Sequence, residues 1–363
     1  MSSSMTVLFS GYAPVHYLCF EPLYQRLRES DDFEVYVSGG IRSFSEDGTP
    51  SYDHEALYSR FDVDPAHVLS VDEIASRSFD ILFSAHTNLI APAETRLGAV
   101  QIFHGVSFRN RGLRPENMQC DYYFVVGPYM QRRLAEQGLM AENDPRIVPV
   151  GFMKTDRLVD GSLDREKLMS NYRLDGSRPV LVYAPTGAKH NSMNTMGEDV
   201  IKRLRDSGKY DLLVKLHDHP KDDLDWHERL ASIEDEHTIV VRDDDVIPLL
   251  HAADLLITDA SSVSSEFSLC DKPMVFLDVP KLLKKMEDAE YKTMDMATWG
   301  RKAGLTVNAA EEVCVVVESA LQEADDLSSV RREMAQDLFY NPGTSVDAGI
   351  AWLRRLHELR IAA

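Results

Sequence analysis

The strongest constraint on this chain is an alternation, run through twice, of short apolar stretches with helix-length amphipathic ones. Six apolar runs come first: "TVLFSG" (6–11), "FEVYVSG" (33–39), "DILFSAH" (80–86), "AVQIFHG" (99–105), "YYFVVGP" (122–128) and "IVPVG" (147–151). After a polar, charged interval near 152–177 the grammar restarts with "PVLVYAPT" (179–186), "YDLLVKLH" (210–217), "HTIVVRD" (237–243), "DLLITDA" (254–260) and "KPMVFLD" (272–278). Runs of this length and composition read as buried strands. Strands that alternate with helices call for parallel sheets covered by helices on both faces.

The expected fold class is therefore α/β, with two Rossmann-like doubly wound domains facing a cleft. A length of 363 residues agrees, since a single core stops growing near ~250–300 residues. The first domain is expected over 1–155 and the second over 170–340. In the last stretch, "SVDAGIAWLRRLHELR", apolar residues recur at helical spacing. Residues 341–363 are accordingly expected to form a helix that packs back on the first domain.

Such sheets bind ligands beyond the carboxyl ends of their strands, where loops run into helix starts. Five strand-end loops carry polar residues there: "FSGYAPVH", "FHGVSFRNRG", "YAPTGAKHN", "KLHDHP" and "TDASSVSSEF". If the fold is right, all five line one rim. The first brings His16 as a candidate contact to an acceptor or phosphate.

The last loop raises the sharpest question, because "LLITDASSVSSEF" packs four serines around a helix start. Serine caps helices well, its oxygen accepting an orphan N–H. A helix start with free N–H groups and hydroxyls is also a seat for phosphate. One helix end can do both.

In "QIFHGVSFRNRG", His104 stands at a strand end before a glycine that lets backbone approach closely. Its ordinary pKa suits a general base, although a lone strand-end histidine is commonly a buried structural one. The cations that follow, Arg109, Arg111 and Arg114, fit an anionic ligand or, equally, a solvated loop. In "KLHDHP", the strand period places Lys215, His217 and His219 on one face until Pro220 turns the chain. A metal set drawn from these histidines and Asp218 is disfavoured by that proline, and no metal or cofactor is expected. Asp243, Asp244 and Asp245, just before "VIPLLHAAD", read as an aspartate helix cap rather than a metal motif.

Composition excludes several partners. The formal charge of −20 disfavours nucleic acid and weakens attraction to anionic membranes. Cys19, Cys120, Cys270 and Cys314 are widely spaced without a CxxC pair, which gives no disulfide framework and fits a reducing compartment. The start "MSSSMTVLFSGYAP" shows no charged leader, and no window reaches about 18 apolar residues. A cytoplasmic location is expected.

The order of "FHG", "YAPT", "KLH", "DVIPLLHAADLLITDASSVSSEF", "DKPMVFLD" and "YNPG" resembles the CDP-glycerol glycerophosphotransferase family, which includes teichoic-acid primases and polymerases. The resemblance spans roughly residues 100–345. It implies the GT-B glycosyltransferase type of fold and transfer of a polyol phosphate, glycerol phosphate first, from a CDP-activated donor to a saccharide or polyol-phosphate acceptor. It implies His104 as catalytic base and His217 as the histidine that meets the donor diphosphate, with His219 the alternative for that position. Donor contacts would come from Thr186, Lys215, Ser261 and Ser262. Glu266, one turn further, is placed for ribose hydroxyls unless it is an exposed helix glutamate. The family's His-Gly-Thr reads His-Gly-Val-Ser here, leaving Ser107 with Arg109 and Arg111 as acceptor or phosphate contacts. Family polymerases also carry basic, amphipathic segments for membrane attachment. Apart from "PKLLKKM" (280–286) this chain shows little of that, so at most peripheral contact with the inner face of the cell membrane is expected.

Three rival functions use the same architecture: a glycosyltransferase acting on a nucleotide sugar, a nucleotide-sugar epimerase, and a nucleotide-binding regulator without catalysis.

Overall fold

A computed structural model describes residues 4–106, 112–217, 224–288, 295 and 297–362. The chain divides at Asp156. The described residues up to 156 and those from Leu338 onward form one compact unit, and the described residues from Arg157 to Asp337 form the other.

In the first unit the chain lays down β1 (Met5–Gly11), β2 (Phe33–Gly39), the hairpin β3 (Ile41–Phe44) and β4 (Pro50–Asp53), then β5 (Val68–Leu69), β6 (Ser78–Ser84), β7 (Glu94–Gln101), β8 (Tyr122–Phe124) and β9 (Ile147–Val148). Hairpin apart, these make one seven-stranded sheet in the order β5-β2-β1-β6-β7-β8-β9. Every pairing in it is parallel. Strand order therefore reverses between β1 and β6, whose carboxyl ends are level, Ser10 opposite Ser84.

The second unit repeats the plan. β10 (Val180–Tyr183), β11 (Asp211–Lys215), β12 (Thr238–Val241), β13 (Leu255–Thr258), β14 (Met274–Leu277) and β15 (Leu305–Val307) form a parallel sheet ordered β12-β11-β10-β13-β14-β15. Its order reverses between β10 and β13. Both sheets follow the doubly wound pattern, so each has a switch point where a crevice opens beyond the strand ends.

Every residue of β10, β13 and β14 is buried, which is why these strands are continuous apolar runs without alternation. Each fully buried Leu, Ile or Val contributes about 1.5–3 kcal/mol relative to exposure. All eleven apolar runs read from the sequence are strands. The ones unread are β3, β4, β5 and β15. The hairpin is polar and largely exposed, and β5 and β15 have only two and three residues without the longer apolar run that marks the equally short β8 and β9 in "YYFVVGP" and "IVPVG".

The helix Ser345–Ala362 belongs to the first unit. Trp352 on it packs edge-on against Tyr122 and Phe124, with ring centroids 4.9 and 5.0 Å apart. Its start is fastened by Asp156, whose carboxylate accepts the Gly343 and Val346 N–H groups, both at 3.0 Å. Asn341 of "YNPG" donates to the Pro149 and Val150 carbonyls, each at 3.0 Å. The backbone there passes so close that a Cβ on Gly127 would lie 2.1 Å from the Leu338 oxygen. Any side chain at 127 would push the returning chain away.

Candidate active site

At the first switch point the loops after β1, β6 and β7 bring three imidazoles together. His16 sits in the first turn of the helix Pro14–Arg28, His86 lies two residues past β6, and His104 three past β7. The His16 ring centroid is 5.3 Å from that of His104 and 5.4 Å from that of His86. Tyr12 touches both His16 and His86, at 4.4 and 4.6 Å. Over its ring lies the Arg42 guanidinium from the hairpin, 3.8 Å from the centroid, a cation–π contact. Gly11 makes the approach of this helix possible, because a Cβ there would stand 2.9 Å from that of His16.

Hydrogen bonding sets the tautomers of two of the rings. His104 Nδ1 lies 2.7 Å from the Ala85 carbonyl. A carbonyl only accepts, so Nδ1 carries the proton and Nε2 keeps its lone pair. His16 is the reverse: its Nδ1 accepts the Tyr12 N–H at 3.2 Å, so the neutral ring carries its proton on Nε2. His104 retains exposed surface, yet the protein packed around it lowers its pKa, and the Lys154 ammonium lowers it further against the opposing Ala85 bond. It is therefore neutral at pH 7 with a basic nitrogen to offer.

His86 escaped the sequence reading, although it is the last residue of "DILFSAH". It is 1% exposed, and burial, then the His104 and Arg42 charges, push its pKa down to about 3. A strand-end histidine beside the switch point was its only signal. The close approach attributed to Gly105 does not occur among the described residues, where a Cβ on it would meet nothing within 4 Å. The strained residue is the one before the histidine, Phe103, at φ +55°, a conformation costly for a bulky side chain and common at working sites.

At the second switch point Asp259, one residue past β13 and buried, gathers the loop after β10. Its carboxylate accepts the Thr186 N–H at 2.9 Å and both the N–H and the hydroxyl of Ser192 at 2.8 Å. Ser192 in turn stands 2.8 Å from the Tyr183 hydroxyl, and the Asn191 amide donates to the Thr186 carbonyl. The "YAPTGAKHN" loop is thus laced to "TDASS". Asp259 was not singled out in the sequence, since an aspartate at a strand end gives no cue to which loop it will gather.

The serine helix is short, Val263–Phe267. Ser264 and Ser265 are buried, whereas Ser261 is half-buried and Ser262 exposed. Ser262 makes no side-chain capping bond, and Ser261 Oγ accepts from the Val263 N–H only at 3.5 Å. Capping accounts for little of this pair. Glu266 is 4% exposed, so it is not the exposed helix glutamate of the bland alternative.

The strand β11 ends at Lys215, which corrects the expectation that Lys215 and His217 share a strand face. Lys215 is buried and its ammonium donates to the Leu216 carbonyl at 2.9 Å, while His217 is exposed two residues beyond the strand. Asp243 accepts from the Tyr172 hydroxyl. Asp245 accepts the Ile247 N–H at 3.0 Å and pairs with Arg157 at 2.8 Å, but the cap position of the helix Ile247–Ala252 is Val246, without a side-chain capping bond, so the expected aspartate cap is not formed. Ser107, Arg109, Arg111, Asp218 and His219 lie outside the described residues. Among the described residues no group of three or more His, Cys, Asp or Glu side chains could hold a metal ion. No helix among them is long and apolar enough to cross a membrane. In "PKLLKKM" Leu282 and Met286 are buried against the second unit, leaving Lys281, Lys284 and Lys285 exposed.

Comparison with known proteins places the chain. The family model described as CDP-glycerol:poly(glycerophosphate) glycerophosphotransferase matches residues 70–336. The chain belongs to this glycerophosphotransferase family. It is 30% identical over 190 residues to the teichoic acid glycerol-phosphate primase of Bacillus spizizenii strain W23, a match covering 51% of the chain and 44% of the relative. The teichoic acid ribitol-phosphate primase of the same strain is 26% identical over 224 residues, covering 54% and 56%. The family member described here thus spans about half the length of the curated relatives it matches. Among solved structures, the wall teichoic acid polymerase TagF superposes with a TM-score of 0.68 at 15% identity, over 98% of this chain and 90% of that one. The Listeria monocytogenes putative UDP-N-acetylglucosamine 2-epimerase reaches 0.60 at 14% identity, over 98% and 97%. At such identities the likeness is one of fold.

Proposed function

We propose that this family member transfers a polyol phosphate, glycerol phosphate being favoured, from a CDP-activated donor to a hydroxyl of a saccharide or polyol-phosphate acceptor in cell-surface polymer synthesis. The observation that carries the reading is the His104 tautomer: the bond from Nδ1–H to the Ala85 carbonyl leaves Nε2 as the basic nitrogen. A base so oriented can take the proton of an attacking hydroxyl.

The acceptor oxygen would attack the β-phosphorus of the CDP-polyol in line. The new bond joins that oxygen to phosphorus, the bond to the bridging oxygen breaks, and CMP leaves with its electron pair. The proton passes to His104 Nε2, and the bond to Ala85 strengthens as the imidazolium forms. Charge on the departing CMP would be met by Ser261, Ser262, Lys215, His217 and the N–H groups of the serine turn. Thr186 is held for the same ligand by Asp259, and Glu266 would meet the ribose hydroxyls. His16, presenting Nε2–H, with Ser107, Arg109 and Arg111, would contact the acceptor or its phosphate. The matched primases are named for glycerol and for ribitol phosphate, which supports a polyol phosphate as the transferred group. We place the reaction in the cytoplasm, with at most peripheral contact to the inner face of the membrane.

The deciding experiment supplies the protein with CDP-glycerol, CDP-ribitol and UDP-sugars, each with saccharide and polyol-phosphate acceptors. Acceptor-dependent release of CMP from a CDP-polyol is expected. Release of UDP from a UDP-sugar, with CDP-polyols left intact, would replace this reading by glycosyl transfer, and interconversion of UDP-sugars without release would replace it by epimerisation.

A further inference from the structure

Gln101, the last residue of β7, is buried and uses both ends of its amide on two different loops. Its Nε2 donates to the His86 carbonyl at 2.8 Å, a carbonyl that the Ser84 hydroxyl also reaches at 3.1 Å. Its Oε1 accepts the Phe103 N–H at 2.9 Å. The first bond pins the segment whose preceding residue, Ala85, accepts from His104. The second pins Phe103, at φ +55°, immediately before His104. We propose that Gln101 is a positioning residue that sets the orientation and tautomer of His104, by holding both the turn that carries the imidazole and the carbonyl that receives its proton.

This inference rests on reading His104 as the base. The chemistry behind it is specific to the amide. Asn and Gln carry a donor and an acceptor on separate atoms of one neutral, planar amide, so one side chain can bridge two loops, and Asn is one methylene shorter. A positive-φ phenylalanine persists only where its surroundings over-determine it, and the Gln101 acceptor is one of those constraints. Loss of the amide would let the turn relax, and the imidazole could then exchange its Nδ1–H form for the Nε2–H form, in which the basic nitrogen faces the wrong way.

The test uses Gln101→Leu, which removes both bonds, and Gln101→Asn, which keeps the amide but cannot span both loops. Should the leucine variant not fold, the asparagine variant carries the test. Imidazole nitrogen NMR reads the tautomer of His104 directly, and steady-state kinetics with the CDP-polyol that the wild type consumes reads kcat and KM. The charged and titratable groups facing His104, which are His16, His86 and Lys154, are the same in every variant, so differences belong to Gln101. The wild type should hold His104 as Nδ1–H. The variants should show mixed tautomers and a kcat reduced about tenfold to a hundredfold, the scale of a misplaced catalytic group, with donor KM nearly unchanged. A folded variant with the wild-type tautomer overturns the proposal. His104→Ala separates the two ideas: if it leaves turnover intact while Gln101→Leu still mixes the tautomers, the base assignment fails and the positioning role stands. If His104→Ala abolishes turnover while Gln101→Leu changes neither tautomer nor kcat, the positioning role fails alone.

Discussion

Acidification should destabilise the first unit through His86, and the size of the effect can be worked out. Its pKa falls from 6.5 in the unfolded chain to about 3 in the folded one, so the unfolded chain binds the proton first. The stability held by the neutral ring is complete above about pH 6.5, is lost as pH descends through that value, and levels off near 3. Between pH 7 and pH 5 the linkage integral for such a group is about 2 kcal/mol. The test compares the wild type with His86→Leu, which cannot titrate, by urea unfolding at both pH values. Of the three tryptophans only Trp352 lies in the first unit; replacing Trp226 and Trp299 by phenylalanine makes fluorescence report that unit. The wild type should lose about 2 kcal/mol more than the variant on going to pH 5. Equal losses, or a His86 imidazole seen by NMR to titrate near 6.5, would refute the argument that burial keeps this ring neutral.

His104→Ala should lower turnover by about a hundredfold or more while CDP affinity, measured calorimetrically, stays near that of the wild type; undiminished turnover would remove it from the mechanism. Ser261→Ala and Ser262→Ala should weaken CDP binding more than cytidine binding, with stability changed by well under the ~1 kcal/mol that a lost cap costs, because neither hydroxyl makes a strong cap. Equal losses for cytidine and CDP would show that the turn recognises nucleoside. Asp259→Ala strands two N–H groups and leaves the Ser192 hydroxyl its Tyr183 partner, so it should cost about 2–6 kcal/mol in the second unit at roughly 1–3 kcal/mol per buried donor and weaken CDP binding through the freed Thr186 loop. A loss below about 1 kcal/mol in urea unfolding would mean those donors find other partners.

Much of the architecture was legible because strands buried on both faces must be apolar throughout, and eleven such runs stand in the sequence. The doubly wound class followed from their alternation with helices, and the candidate loops followed from where those strands end. His104, Ser261 and Ser262 could be singled out because a strand-end His-Gly and a serine-rich turn are local patterns. What only the tertiary structure decided is which of these loops meet, and how. His86 gains its neighbours from strand order, which puts β6 beside β1 although 66 residues separate the end of β1, Gly11, from the start of β6, Ser78. Asp259 reaches Thr186 across 73 residues, because β13 lies against β10. The bonds that orient His104 and Phe103 come from Ala85, on a neighbouring strand's loop, and from the Gln101 amide, and no spacing announces them. A residue's period records which face it occupies, but a hydrogen bond between loops depends on register and on backbone turns a few degrees wide. Those are set only once the sheet has assembled.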